Sequence, residues 1–206
     1  MSGRFITFEG IDGCGKTTQL TRAAQYLERD GRACVVTREP GGTEIAERIR
    51  ELVMSVRYDN LCTECELLLY LAARAQHVIE VIAPARAQGK IVLCDRFQEA
   101  TFAYQGFGRG VDLDTLGALN TYATGGCSPD LTLVFDLPVD AARARLAATG
   151  RAPDRIEASS AAFFKRVREG YHALAAQHPH RVRILDATRT INELAIEVAG
   201  LIRGVL

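Results

Sequence analysis

Residues 4–19 of the chain, RFITFEGIDGCGKTTQ, restrict its fold more than any other stretch. Phe5-Ile6-Thr7-Phe8 is apolar and rich in β-branched and aromatic side chains, the mark of a buried strand. Gly10 to Thr17 then fits the phosphate-loop pattern of Gly, four residues, Gly, Lys, Ser or Thr. Glycines allow positive φ and remove Cβ atoms that would block a close phosphate. Consecutive backbone N–H groups turn into one anion-sized hollow, and a helix starting near Lys16 adds its positive dipole end. Candidate nucleotide-phosphate residues are therefore Gly10, Ile11, Asp12, Gly13, Cys14, Gly15, Lys16, Thr17 and Thr18. Among them Lys16 would reach the β- and γ-phosphates and Thr17 would ligate Mg²⁺. The bland alternative is a glycine turn followed by a solvated lysine.

With 206 residues, 48% of them hydrophobic, the chain suits one compact α/β domain over 1–206. Its 25 basic and 25 acidic side chains cancel, which argues against a bulk electrostatic grip on a nucleic acid polymer or an acidic membrane. A strand beginning at Phe5 leaves no room for a signal peptide, and no apolar run is expected to span a bilayer. Six cysteines scattered through apparent strands and helices point to reduced thiols and a cytoplasmic protein. Cys62 and Cys65 form a lone Cys-x-x-Cys with no second pair or nearby histidines. Thr63 and Glu66 read as a capping box there, so a helix start is preferred to a zinc site.

Helices are expected over 17–29, 43–55, 63–88 (with Pro84 bending it), 112–123, 138–148, 157–177 and from the Thr190/Glu193 capping box to about Arg203. Further strands are expected over 33–37, 91–94, 131–135 and 182–185, with a breaker-rich loop at Arg38–Thr43 and a glycine-rich loop at 105–110. The alternation predicts a doubly wound, five-stranded parallel sheet flanked by helices, the α/β fold of P-loop NTPases.

Mg²⁺ and its waters call for a carboxylate at the end of a buried strand. Asp95 and Asp136 both qualify. Asp95 is preferred because Arg96, a bidentate phosphate donor, follows it. Asp136 is read as capping the next helix.

The set EGIDGCGKTTQ, TREPGGT at 37–43, AARAQ at 72–76, DRFQEATFAYQGFGRG at 95–110, PDLTLVFDLP at 129–138 and DRIE at 154–157 resembles the bacterial thymidylate kinases, which phosphorylate dTMP with ATP. The resemblance spans nearly the whole chain in order. It implies transfer of the ATP γ-phosphoryl group to the dTMP 5′-phosphate, Mg²⁺ as cofactor, a place in dTTP synthesis and a homodimer. It also implies a short lid near 143–157. Carried onto this sequence, Asp12 would contact the nucleotide 3′-hydroxyl and Tyr70 would stack on thymine. Arg74 would donate to a thymine carbonyl, Thr101 and Gln105 would read the base edge, and Tyr104 would lie under the sugar. Arg96, with Arg50 and Arg38, would hold the acceptor phosphate. The catalytic set would be Lys16, Arg96, Asp95 and a lid arginine, with Thr17 and Asp95 on the metal. Arg151 is the preferred lid arginine, because the phosphate loop offers no cation beyond Lys16; Arg145 and Arg155 are the alternatives. Ala100 stands where the family usually has Ser. Taken alone, Tyr70 reads as core, Arg74 as a solvated helix charge and Gln105 as loop surface.

The acceptor phosphate is already anionic, so no strong base is needed and positioning with charge neutralisation suffices. A kinase for another (deoxy)nucleotide or a deoxynucleoside is the nearest alternative, and a nucleotide-dependent switch is the alternative of a different class. The absence of an Asn-Lys-x-Asp tetrapeptide counts against a GTPase switch. The apolar run Leu67 to Val81 would serve either as dimer surface or as core.

Overall fold

The computed structural model describes residues 3–206. Strands β1 (Phe5–Glu9), β2 (Cys34–Arg38), β3 (Ile91–Asp95), β4 (Leu131–Asp136) and β5 (Val182–Asp186) form one sheet in the order β2-β3-β1-β4-β5. Every neighbouring pair is parallel, with Phe8 opposite Asp95 and Glu9 opposite Val134. The expected doubly wound α/β sheet is the fold observed.

The central strands are apolar on both faces because helices cover both. Ile6, Phe8, Leu93 and Leu133 pack against Leu20 and Leu27 of α1 (Lys16–Arg29) and Val198 and Ile202 of α9 (Ile191–Arg203). On the opposite face Phe5, Val92, Cys94 and Phe97 meet Val78 and Ile82. From β1 the chain runs outward to β2, returns to β3, and crosses β1 to reach β4. The loops after β1 and β3 therefore leave in opposite directions, and a crevice opens at the C-terminal ends of these two strands.

The remaining helices are α2 (Glu44–Met54), α3 (Thr63–His77), α4 (Ala83–Ala87), α5 (Gln98–Thr101), α6 (Leu113–Thr124), α7 (Val139–Ala147) and α8 (Ala161–Gln177). Several local expectations give way to tertiary partners. Residues 63–88 are not one bent α-helix. A π turn, Val78–Ile82, precedes Pro84, whose missing N–H cannot bond the Glu80 carbonyl. The Thr63/Glu66 capping box does not form. Cys62 is the N-cap without a side-chain bond, and Glu66 turns into the interior. Of the glycine-rich loop expected over 105–110, residues 105–108 lie instead in a π-helix, Phe102–Gly108, which packs on α8. Helix α8 begins at Ala161, capped by Ser160, rather than at 157, because 155–159 form a turn.

The combined run Thr63–Ala87, with an 18-residue window of mean hydropathy 1.2, is long and apolar enough to cross a membrane, against the sequence expectation. Its inward face carries Glu66, Arg74 and His77 in buried polar contacts, as suits a core helix.

Candidate functional site

The crevice holds a cavity of about 340 Å³. The phosphate loop forms one end. Gly10 has φ 129°, and a Cβ there would lie 2.6 Å from the Phe135 carbonyl oxygen, so the tight passage out of β1 requires glycine. Gly15, at φ 97°, is the N-cap of α1 and turns the chain into the helix. The side chains of Ile11 and Cys14 are buried in the core. Thr18 is exposed and does not line the cavity. Lys16 and Thr17, in the first turn of α1, do line it.

Asp95 ends β3 beside this turn, and Oγ1 of Thr17 donates to its Oδ2 at 2.9 Å. A hydroxyl and a carboxylate so placed are the hard oxygen donors that Mg²⁺ takes when phosphates complete its shell. Asp136 is engaged elsewhere. It does not cap α7 but accepts both arms of Arg168, at 2.6 and 2.8 Å, and lies 3.2 Å from His172.

Arg96 follows Asp95 with φ 72°, an uncommon conformation for a non-glycine residue and one concentrated at functional sites. Its N–H donates to the Phe8 carbonyl, and the next N–H, that of Phe97, donates to buried Glu9. Thus held, the guanidinium of Arg96 donates to Asp12 at 2.8 Å and to the Tyr104 hydroxyl at 3.2 Å, and lies 5.0 Å over the Tyr104 ring. Burial alone would raise the Asp12 carboxyl, but Arg96 and Lys16 outweigh it and hold the group well below the usual range. Asp12 therefore stays ionised between two cations. Burial likewise pushes the Glu9 carboxyl up to about 8, aided by Glu99 and opposed by Arg96 and by bonds from Phe97 and Tyr171.

Arg38 and Arg50 line the same cavity beyond Arg96. Arg38 is paired with Glu47 at 2.8 Å, and Arg50 donates to the Pro40 carbonyl at 3.0 Å. Tyr70 and Arg74, one turn apart on α3, line the wall with Thr101, Tyr104 and Gln105. Arg74 is not the solvated charge its sequence context alone indicates. It is 2% exposed and donates to Glu39, Asn120 and the Phe97 carbonyl. Three of its five N–H groups are spent there, leaving two uncommitted. Glu39 also accepts from His77 Nδ1 at 2.9 Å, while the Thr37 hydroxyl meets Nε2 at 2.7 Å. This relay of Thr37, His77, Glu39 and Arg74 was missed in the sequence; its one signal was an acid inside the turn-rich TREPGGT block.

On the open side, Arg151, Asp154 and Glu157 border the cavity. Arg151 is exposed and paired with Glu157. The two alternatives are committed away from the cavity: Arg145 donates to the Ala187 carbonyl, and Arg155 donates to the Val53 carbonyl and to Glu66. Ala100 lies on the wall.

The family model described as thymidylate kinase matches residues 8–198. The chain is 50% identical to a thymidylate kinase of Pelotomaculum thermopropionicum over 198 residues, covering 96% of this chain and 92% of that one. It is 50% identical to a thymidylate kinase of Geobacter sulfurreducens over 206 residues, covering 97% and 96%. Among solved structures it is similar to the thymidylate kinase of Ehrlichia chaffeensis, with TM-score 0.79, 35% identity, and coverage of 98% of this chain and 99% of that one.

Proposed function

Since the chain belongs to the thymidylate kinase family and phosphorylates dTMP to dTDP, we propose that the crevice at the ends of β1 and β3 seats ATP and dTMP tail to tail, with named side chains in the following roles. The observation that carries this is the convergence on one cavity of the phosphate-loop lysine, the Thr17–Asp95 pair, Arg96 and the aromatic wall of Tyr70 and Tyr104.

The backbone N–H groups from Gly10 to Thr18 receive the ATP phosphates, and Lys16 spans the β- and γ-oxygens. Thr17 and Asp95 would hold Mg²⁺, which would supply charge neutralisation at the phosphates when bound. Arg96, with Arg38 and Arg50, holds the dTMP phosphate; Arg38 and Arg50 are partly engaged already and reorient to do so. Tyr70 stacks on thymine, the free N–H groups of Arg74 donate to a thymine carbonyl, and Thr101 and Gln105 meet the base edge. Tyr104 lies under the sugar, where its bulk disfavours a 2′-hydroxyl. Asp12 accepts from the 3′-hydroxyl and keeps Arg96 in place. The lid spans about 143–157, and within it Arg151 leaves its exposed pair with Glu157 to reach the transferring phosphoryl group. Closure excludes water and suppresses ATP hydrolysis.

The whole chain acts as one nucleoside monophosphate kinase domain in the cytoplasm, as its free cysteines suit. It pairs as a homodimer through the outer face of α3 and its π turn, where Leu68 is 55% and Ile79 71% exposed while Leu67 and Leu71 face the core. The test is a coupled assay with ATP and Mg²⁺ across dTMP, dUMP, dCMP, UMP and thymidine. Preferred turnover of dTMP supports the assignment of roles. Preferred turnover of thymidine itself overturns the tail-to-tail seating, and ATP hydrolysis indifferent to every acceptor restores the switch.

A further inference from the structure

Glu66 lies in the first turn of α3, is 1% exposed, and has no part in the roles assigned above. Its Oε1 accepts the Gln105 amide Nε2–H at 2.8 Å. Its Oε2 accepts from Arg155 at 2.7 Å and from Arg109 at 3.3 Å. Arg155 also donates to the Val53 carbonyl at 2.8 Å, and Arg109 lies 4.7 Å over the Phe163 ring. One carboxylate thus joins a side chain on the cavity wall to the segment that leaves the lid. Burial opposes its ionisation, but the Gln105 amide and the two guanidinium groups outweigh burial and hold the carboxyl below its usual range.

An ionised carboxylate can only accept. Gln105 must therefore turn its NH₂ group toward Glu66, which aims its carbonyl oxygen the other way. Among the described residues no donor reaches that oxygen; Gln105 is 2% exposed, yet its oxygen is not among the buried atoms left without a partner, so the little access the side chain keeps includes that oxygen. Gln105 lines the cavity, so that access opens where a base edge lies.

We propose that Glu66 is a positioning residue for base selection: by taking the Gln105 amide N–H it fixes the Gln105 carbonyl oxygen as an acceptor, which suits a base bearing a ring N–H, as thymine does at N3, and disfavours cytosine, whose N3 is itself an acceptor. This rests on the reading above that Gln105 meets the base edge. A glutamine without that constraint presents either end and loses the discrimination, because a mismatched pair leaves two acceptors facing each other.

The test compares Glu66→Gln with the unaltered chain, by dTMP turnover and by its inhibition with dCMP. Glutamine keeps the shape but both donates and accepts, so Gln105 is free to turn. The expected result is a fall of about tenfold in the ratio of the dCMP inhibition constant to the dTMP KM, with kcat changed less than about threefold. An unchanged ratio, both constants moving together, is the signature of a merely structural Glu66 and overturns the proposal. Gln105→Ala is measured beside it. If Gln105→Ala lowers the ratio and Glu66→Gln does not, this inference alone fails. If Gln105→Ala leaves the ratio unchanged, the reading of Gln105 as a base contact fails with it. Should Glu66→Gln not fold, NMR of the intact chain decides: protected, downfield Gln105 side-chain amide protons support the proposal, and freely exchanging protons at the position of free glutamine overturn it.

Discussion

Oγ1 of Thr17 donates a 2.9 Å hydrogen bond to Oδ2 of Asp95, across 78 residues of chain. The contact follows from the sheet. β1 and β3 are neighbours with Phe8 opposite Asp95, and α1 starts one loop beyond β1. Two hard oxygens therefore meet beside Lys16, and each needs the other strand in register to be there.

Replacing Asp95 by Asn keeps the size of the side chain and its bond to Thr17 while removing the charge that a divalent cation prefers. We expect kcat to fall about a hundredfold and the half-saturating Mg²⁺ concentration to rise about tenfold. A magnesium titration of dTDP formation checks both. Asp136→Asn is the control, since its partners are Arg168 and His172; an equal effect there would move the metal role to β4.

Lys16 is 6% exposed and its ammonium lies 3.6 Å from Asp12, which Arg96 also holds. In Lys16→Ala the Asp12 charge keeps one partner, so the fold survives, while the cation proposed to span the ATP phosphates is lost. We expect dTDP formation to drop at least about a thousandfold with the circular dichroism spectrum unchanged. Undiminished turnover would refute the phosphate-loop assignment.

Arg151 and Arg155 test the proposed division between catalysis and scaffolding. Arg151 is exposed beside the cavity, whereas Arg155 is nearly buried between Val53 and Glu66. We expect Arg151→Ala to slow turnover by a factor on the order of a hundred to a thousand with little change in dTMP affinity or melting temperature. Arg155→Ala leaves a buried carboxylate short of one partner and should cost about 3 kcal/mol, a fall of about 6 to 12 °C in Tm. Steady-state kinetics and thermal melts on the two variants check the division; a reversed pattern assigns the lid role to Arg155.

The β1–loop–α1 unit, the strand ends and the Thr190/Glu193 capping box were legible because local pattern and tertiary partner agree there. Glu66 was misread because the i, i+3 spacing of a capping box says nothing of two arginines arriving from residues 109 and 155. The π-helix was misread because Gly106 and Gly108 look like turn residues. They have ordinary φ and serve close packing instead: a Cβ on Gly108 would lie 2.6 Å from the Phe163 ring.

Gly108→Ala therefore pushes on Phe163, which stands edge-on to Tyr104 with ring centroids 6.0 Å apart. Overpacking of this kind costs about 1 to 3 kcal/mol. Because Tyr104 lines the cavity, the dTMP KM should rise several-fold while the KM for ATP stays within about twofold. Equal shifts in the two constants would mean that the strain does not reach Tyr104.

Glu9 sets the last prediction, on pH. Its carboxyl is fully buried, accepts from the Phe97 N–H at 2.7 Å and the Tyr171 hydroxyl at 2.9 Å, and faces Glu99 and Arg96. Burial first, then Glu99, raises its pKa from 4.5 to about 8. Between those values the folded chain keeps a proton that the unfolded chain has released, so stability falls as pH rises through the window and levels above about 8. Asp12 moves the other way: its folded value is depressed, so its contribution is present above 3.8 and is lost only on acidification. His178, with a lowered pKa, makes stability rise toward 6.5 and obscures the lower half of the window. Glu9→Gln is isosteric, its oxygen able to accept from Phe97 and its NH₂ to donate to Tyr171, and it removes the titration. The difference in unfolding free energy between the variant and the unaltered chain should therefore widen from pH 6 to pH 8.5 by a few kcal/mol. Denaturant melts across that range measure it. A difference independent of pH would mean that Glu9 is already ionised in the fold, balanced by Arg96.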